Sequence, residues 1–210
     1  MIHSFSAENL PTLYDELASK DNDLKAILNQ YGYPPLWIRP NTFETLVLTI
    51  LEQQVSLASA YSAYKKLKDR IRITPKNLLS LTDEELRGCY LSRQKIVYTR
   101  ELANAIFTKK ITLKKFETLP DDVVRTKLKA LKGIGDWTVD IYLLHALRRL
   151  DLFPIGDLAL INSIKMVKQI PLATKQDLLD LSRKWQPYRS IATMLLWHYY
   201  IKKKNIRILH

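Results

Sequence analysis

The chain has 210 residues, enough to bury a core as one domain or two closely packed lobes. Its 33 Lys+Arg against 21 Asp+Glu leave a formal charge of +12, which favours a polyanionic partner. One cysteine, Cys89, excludes an internal disulfide and any four-cysteine zinc or iron–sulfur site, and His3, His145, His198 and His210 lack metal-ligand spacing.

The pattern is helical throughout. Asn41 with Glu44 three residues on predicts a capping box, followed by Phe43, Leu46, Val47, Ile50 and Leu51 on one face. Ser56 is the expected cap of the next helix, and Thr82 with Glu85 repeats the capping-box spacing. A helix from Ser92 to near Thr108 is expected from Ile96, Leu102, Ala103 and Ile106. Pro120-Asp121-Asp122 opens another, with acids in the first turn where the helix dipole favours them. Further helices are expected after Gly135, Gly156 and Thr174, and Pro187 opens a final long one.

No stretch alternates long enough to demand a sheet, so the expected class is all-α, with about ten helices of ordinary length. Residues 1–40 with the C-terminal helices are read as one lobe and about 41–155 as the other, the active site between them. Ile191 to Ile201 is apolar but too short for a membrane span, which needs ~18 continuous apolar residues. It reads as a buried helix. The opening Met-Ile-His-Ser-Phe-Ser lacks the pattern of a secretory signal, so a secreted protein is not expected.

The most informative stretch is Leu128-Lys129-Ala130-Leu131-Lys132-Gly133-Ile134-Gly135-Asp136-Trp137-Thr138-Val139. A helix enters Gly-Ile-Gly and leaves as a second helix. The glycines allow positive φ, and the N–H groups opening the second helix, at its positive dipole end, suit a phosphate. Lys132 adds a charge beside them. Two nearby glycines also mark plain helical corners. The flanking Leu128, Leu131 and Trp-Thr-Val, with the basic excess, favour DNA backbone contact through Lys132, Gly133, Ile134, Gly135 and Thr138.

Asp157 follows Gly156 and immediately precedes Leu158, Leu160, Ile161 and Ile164. That position predicts a helix N-cap. It also allows catalysis. A helix from Asp136 to about Arg149 would run ~21 Å at ~1.5 Å per residue. The connector from Leu150 to Gly156 reaches roughly 23 Å when extended. The chain can therefore return Asp157 to the neighbourhood of Gly135 and Trp137. A capping carboxylate is a poor strong base but a good fixed negative charge, suited to a transition state that becomes cationic, as when a glycosidic bond breaks.

Four further stretches, with the hairpin, carry a resemblance: Phe43-Glu44-Thr45-Leu46 through Gln53-Gln54-Val55-Ser56, Leu91-Ser92-Arg93-Gln94-Lys95, Phe153-Pro154-Ile155-Gly156-Asp157, and Trp185-Gln186-Pro187-Tyr188-Arg189-Ser190 on to Trp197. In this order, over roughly 40–200, the chain resembles the helix–hairpin–helix DNA glycosylase superfamily, most closely the 3-methyladenine DNA glycosylase II group. The resemblance implies a base-flipping enzyme of base excision repair, acting on damaged double-stranded DNA as a monomer without a membrane. It places Asp157 on the catalytic aspartate and Gln54 on the side chain that fills the gap left by the flipped nucleotide. Trp137 and Trp197 fall on aromatic pocket walls, with Tyr142 standing in for an aromatic that Ile141 lacks. Lyase-competent relatives carry a lysine where Trp137 stands, so hydrolysis by water without lyase activity is implied. Main-chain carbonyls of Lys129, Leu131 and Ile134 match those that hold a structural Na+ or K+; no other cofactor is expected.

Aromatic walls favour alkylated purines such as 3-methyladenine and 7-methylguanine, which carry positive charge. The competing readings are a non-catalytic helix–hairpin–helix module that recognises DNA structure, and a glycosylase of this fold for deaminated, oxidised or etheno bases. The expected location is the cytoplasm, at the nucleoid, in a prokaryote and the nucleus in a eukaryote.

Overall fold

The computed structural model describes residues 4–207. These form thirteen α-helices in the order α1 Leu10–Lys20, α2 Asn22–Tyr31, α3 Phe43–Glu52, α4 Leu57–Arg70, α5 Pro75–Ser80, α6 Asp83–Gly88, α7 Arg93–Phe107, α8 Leu113–Phe116, α9 Asp121–Lys129, α10 Asp136–His145, α11 Leu158–Val167, α12 Lys175–Ser182 and α13 Arg189–Lys203. One 3-10 turn, Arg183–Trp185, precedes α13. Among the described residues the only extended pairing is an isolated bridge between Ser4 and Arg149. The all-α expectation holds, with more helices than the ten foreseen. Two of the additional ones, α5 and α8, are too short for a helical period to register.

The caps explain most helix starts. Ser56 and Thr82 each accept a backbone N–H as expected, and Thr82 forms the full capping box with Glu85; Ser92, where the α7 helix was expected to begin, is its cap. At α3 the expectation is off by one residue. Thr42 is the cap, accepting from the Thr45 N–H at 3.3 Å. Asn41 instead donates to the Leu113 carbonyl and Glu117, and its carbonyl oxygen accepts the Tyr142 hydroxyl. Helix α10 also stops at His145, short of the expected Arg149. Arg148 adopts φ 56°, its carbonyl accepts the Phe5 N–H, and Arg149 pairs with Ser4. Pairing with a distant N-terminal segment thus replaces the last helical turn.

The chain divides into two compact units, residues 39–142 and residues 4–38 with 143–207. The second boundary falls inside α10 rather than near residue 155. In the 39–142 unit, α3 is buried along almost its whole length and packs on α4 and α7, while α7 covers α5. In the other unit α13 is central: Ser190 through His198 are all buried, and the helix packs on α11, α2 and α1. This is the apolar run read above as a buried helix. No helix among the described residues is long and apolar enough to cross a membrane. Each Leu or Ile sealed against α13 contributes about 1.5–3 kcal/mol.

A polar clasp secures the same unit. Asp21 caps α2, accepts the Trp185 indole N–H at 2.9 Å and receives Lys168 at 2.7 Å. Burial works against this carboxylate, but Lys168, Trp185 and the Leu24 N–H outweigh it and leave its pKa below the ordinary value of 3.8. A lowered folded-state pKa contributes stability above the unfolded value, and that contribution is lost as pH falls through the folded one. Lys168→Met is therefore expected to be less stable than the native chain at pH 7. The gap should narrow in acid below about pH 4, where Asp21 is protonated in the unfolded state. Urea titrations at both pH values measure it, and a pH-independent gap would refute the clasp.

Candidate active site and DNA-contact elements

In the unit built on α13, Asp157 is the N-cap of α11, with φ −84° and ψ 116°. Its Oδ1 accepts the Leu160 N–H at 2.8 Å and the Trp197 indole N–H at 3.0 Å. Both bonds land on one oxygen and both come from positioned donors. Asp157 is half-buried, flanked by exposed Gly156 and by Leu158, 73% exposed. The N-cap expectation for Asp157 holds, and the same oxygen also receives the Trp197 indole.

Trp197 is itself fixed on both sides. Its ring stacks on His145 at 5.6 Å between centroids and 14° between planes, and meets Trp37 edge-on at 6.4 Å. His145 Nδ1 lies 2.6 Å from the Trp37 carbonyl oxygen. A carbonyl only accepts, so Nδ1 carries the proton and the ring orientation is set. Trp197 is buried to 9% exposure. Its clear task in this structure is to hold Asp157 by the indole N–H. His145 and Trp37 were not foreseen as parts of this constellation. The signal was non-local, since Trp37, His145, Asp157 and Trp197 are widely separated in sequence.

In the 39–142 unit, the hairpin runs from α9 through Leu131–Gly135 into α10. The Leu131 N–H bonds the Leu128 carbonyl, the Ile134 N–H bonds the Leu131 carbonyl, and the first α10 bond joins the Val139 N–H to Gly135. Only Gly133 takes positive φ, 85°. A Cβ there would also run into the Tyr98 ring, whereas one at Gly135 would meet open space. The two glycines are not equivalent, contrary to the simple G-x-G expectation. Lys132 and Gly135 are exposed, placing a charge and a bare backbone on the outside of the turn. Asp136, first in α10, is paired with Lys129 and Arg125, and the Lys129 bond above all lowers its carboxyl pKa.

Ile134 is buried, so the turn offers its backbone and not its side chain. Two expected contacts need correction. Thr138 is 1% exposed, and its hydroxyl accepts the Gln53 amide at 2.8 Å, so its side chain organises the turn rather than meeting DNA. Tyr142 is completely buried, packs edge-on against Phe116 and donates its hydroxyl to Asn41, which makes it core and not a pocket wall. Trp137 is half-buried in the first turn of α10. Gln54 lies exposed at the corner between α3 and α4 with φ 55°, in the left-handed region where side-chain-bearing residues cost about 1–2 kcal/mol. Gln53, beside it, was not anticipated as a structural link. Its amide also donates to the Gly133 carbonyl at 2.9 Å.

Residues 47–187 match the family model of the HhH-GPD superfamily of base excision DNA repair proteins, and the chain belongs to that family. The protein YfjP of Bacillus subtilis (strain 168), which carries a provisional DNA-3-methyladenine glycosylase name, is 30% identical over 184 residues, covering 83% of this chain and 64% of its own length. A DNA-3-methyladenine glycosylase of the same organism is 30% identical over 208 residues, covering 92% of this chain and 68% of its own. The chain thus spans about two thirds of the length of these two relatives. In structure it is similar to 3-methyladenine DNA glycosylase Mag1 of Schizosaccharomyces pombe, solved in complex with abasic DNA, with a TM-score of 0.84 at 24% identity over 95% of this chain and 99% of that one.

The inequality of the glycines is measurable. Gly133→Ala is expected to lose roughly 2 kcal/mol or more, from the left-handed backbone and the Tyr98 clash. Gly135→Ala should lose less than about 1 kcal/mol. Thermal and urea unfolding of the two variants check this, and equal losses would contradict the geometry.

Proposed function

We propose that this protein is a monofunctional DNA glycosylase of base excision repair that hydrolyses the N-glycosidic bond of alkylated purines of the 3-methyladenine and 7-methylguanine type. The observation that carries the reading is the fixed carboxylate, Asp157, capped onto α11 and held by the Trp197 indole. The names of the sequence relatives support the substrate class. The substrate is double-stranded DNA, and the damaged nucleotide must leave the stack before its glycosidic bond can be reached. A prokaryotic cell would hold that DNA in its cytoplasm and a eukaryotic one chiefly in its nucleus.

In this mechanism Asp157 faces the positive charge that grows on the sugar as the base departs, and orients the attacking water. The preset donors on Oδ1 mean that little reorganisation is needed at that moment. Trp137 stands where the lyase-type relatives implied by the resemblance carry an amine, so water and not the protein captures the sugar. The hairpin turn and Lys132 grip the phosphate backbone, while Gln54 enters the vacated space. The carbonyls of Lys129 and Leu131, by the negative end of α9, and of Ile134 in the turn are uncharged oxygens, and that donor set fits Na+ or K+. A cation held there would add positive charge beside a bound phosphate.

Two measurements test this reading. With methylated duplex DNA, Asp157→Asn should lower release of 3-methyladenine and 7-methylguanine by about 100-fold or more while keeping affinity for an abasic duplex. A variant with near-native excision would remove Asp157 from the chemistry, and a native chain that binds but releases nothing would point to a recognition module. Affinity should also fall steeply with salt, roughly 1,000-fold between about 50 and 200 mM if some six phosphates are contacted. Salt-insensitive binding would argue against the hairpin grip.

A further inference from the structure

We propose that Gln53 is a positioning residue that latches the α3–α4 corner to the hairpin turn, so that Gln54 and the phosphate-facing turn act as one rigid piece. The inference rests on the reading of function above and deepens it.

Three consecutive residues at the end of α3 are each held by a different part of the same unit. The Leu51 carbonyl accepts Lys95 Nζ at 2.5 Å. Glu52 takes Arg39 bidentately at 2.6 and 2.8 Å, with side chains only 6% and 18% exposed. Gln53 Nε2 then donates to the Gly133 carbonyl at 2.9 Å and to Thr138 Oγ1 at 2.8 Å. An amide nitrogen has two N–H groups, so these bonds use its full donor capacity.

The next residue, Gln54, is exposed and left-handed, followed by Val55 and Leu57 at 43% and 38% exposure. Anchoring therefore ends at Gln53, and the free-standing tip begins one residue later. The far side of the latch is equally constrained. Gly133 is seated over Tyr98 at φ 85°, which sets the direction of its carbonyl, and Thr138 is buried in the first turn of α10. Gln53 thus grips both the turn and the helix whose N-terminal amides face the phosphate. An unlatched corner would let the Gln54 tip swing independently of the phosphate grip, and insertion would have to bear that ordering cost.

The test uses Gln53→Met, which keeps length and stem but has no amide, and Thr138→Val, which keeps shape but removes one acceptor. Two readouts are combined: single-turnover excision from a 7-methylguanine duplex at saturating enzyme, and fluorescence of 2-aminopurine placed beside a tetrahydrofuran abasic analogue. Gln53→Met should slow excision about 10-fold and weaken the fluorescence change, with abasic-duplex affinity within about 3-fold of native. Thr138→Val should move both in the same direction by less. In a Gln54→Ala background, adding Gln53→Met should cost no more than about 2-fold further, because the latch acts through the tip it holds.

Effects that multiply across the two positions, or an excision rate untouched while only the melting temperature falls, would overturn the proposal. A native chain that releases no base defeats the functional reading alone, since fluorescence still judges the latch. A native chain without a fluorescence change overturns the latch as well.

Discussion

The candidate chemistry depends on the packing of α11 against α13, because that pair brings Asp157 to the Trp197 indole. One helix supplies the cap position and the other supplies the indole donor. The Ser163 hydroxyl, buried between them, donates to the Leu196 carbonyl at 2.6 Å and fixes their register one residue from Trp197. Sliding the helices by a turn would move the indole N–H about 5 Å along the axis and leave Oδ1 without it. The long buried face of α13 therefore serves the site as well as the core. Its apolar residues make the register costly to change, and a register that cannot change keeps a carboxylate where it is needed.

The 39–142 unit solves a different problem with different means. The turn exposes backbone, as the proposed phosphate contact requires, so it cannot be stabilised by covering it with side chains. Here it is braced from behind. Ile134 is buried, the Tyr98 ring lies where a Gly133 side chain would be, and Gln53 takes the carbonyl. Arg125 and Lys129 neutralise Asp136 at the start of α10. Lys132 remains exposed at the turn.

Local chemistry was legible in the chain and long-range pairing was not. Caps at Ser56, Thr82 and Asp157 could be read because a capping side chain bonds N–H groups within three residues. Thr42 was missed in favour of Asn41 because both are capping residues, and what diverts Asn41 lies on α8 and α10, 72 and 101 residues away. The early end of α10 depends on Ser4 and Phe5, which no window around residue 145 contains. Gln53 bonds partners 80 and 85 residues distant, which no local pattern around α3 reveals. Tyr142 shows the same limit. An aromatic near a hairpin resembles a pocket wall until its hydroxyl is found on Asn41 and its ring against Phe116.

The character of the Asp157 constellation bears on which base can leave. Two of the groups held on Oδ1 are a peptide N–H and an indole N–H, and neither surrenders a proton in catalysis. They make the carboxylate a positioned negative charge, which lowers the energy of a sugar turning cationic but gives the departing base no help. A neutral purine leaves as an anion unless something protonates it. A purine methylated at N3 or N7 already carries the positive charge and departs neutral. Such a lesion brings with it the activation that a general acid would otherwise provide. In the proposed function, selectivity for alkylated purines is the consequence of a site that stabilises the sugar and leaves activation of the base to the damage itself.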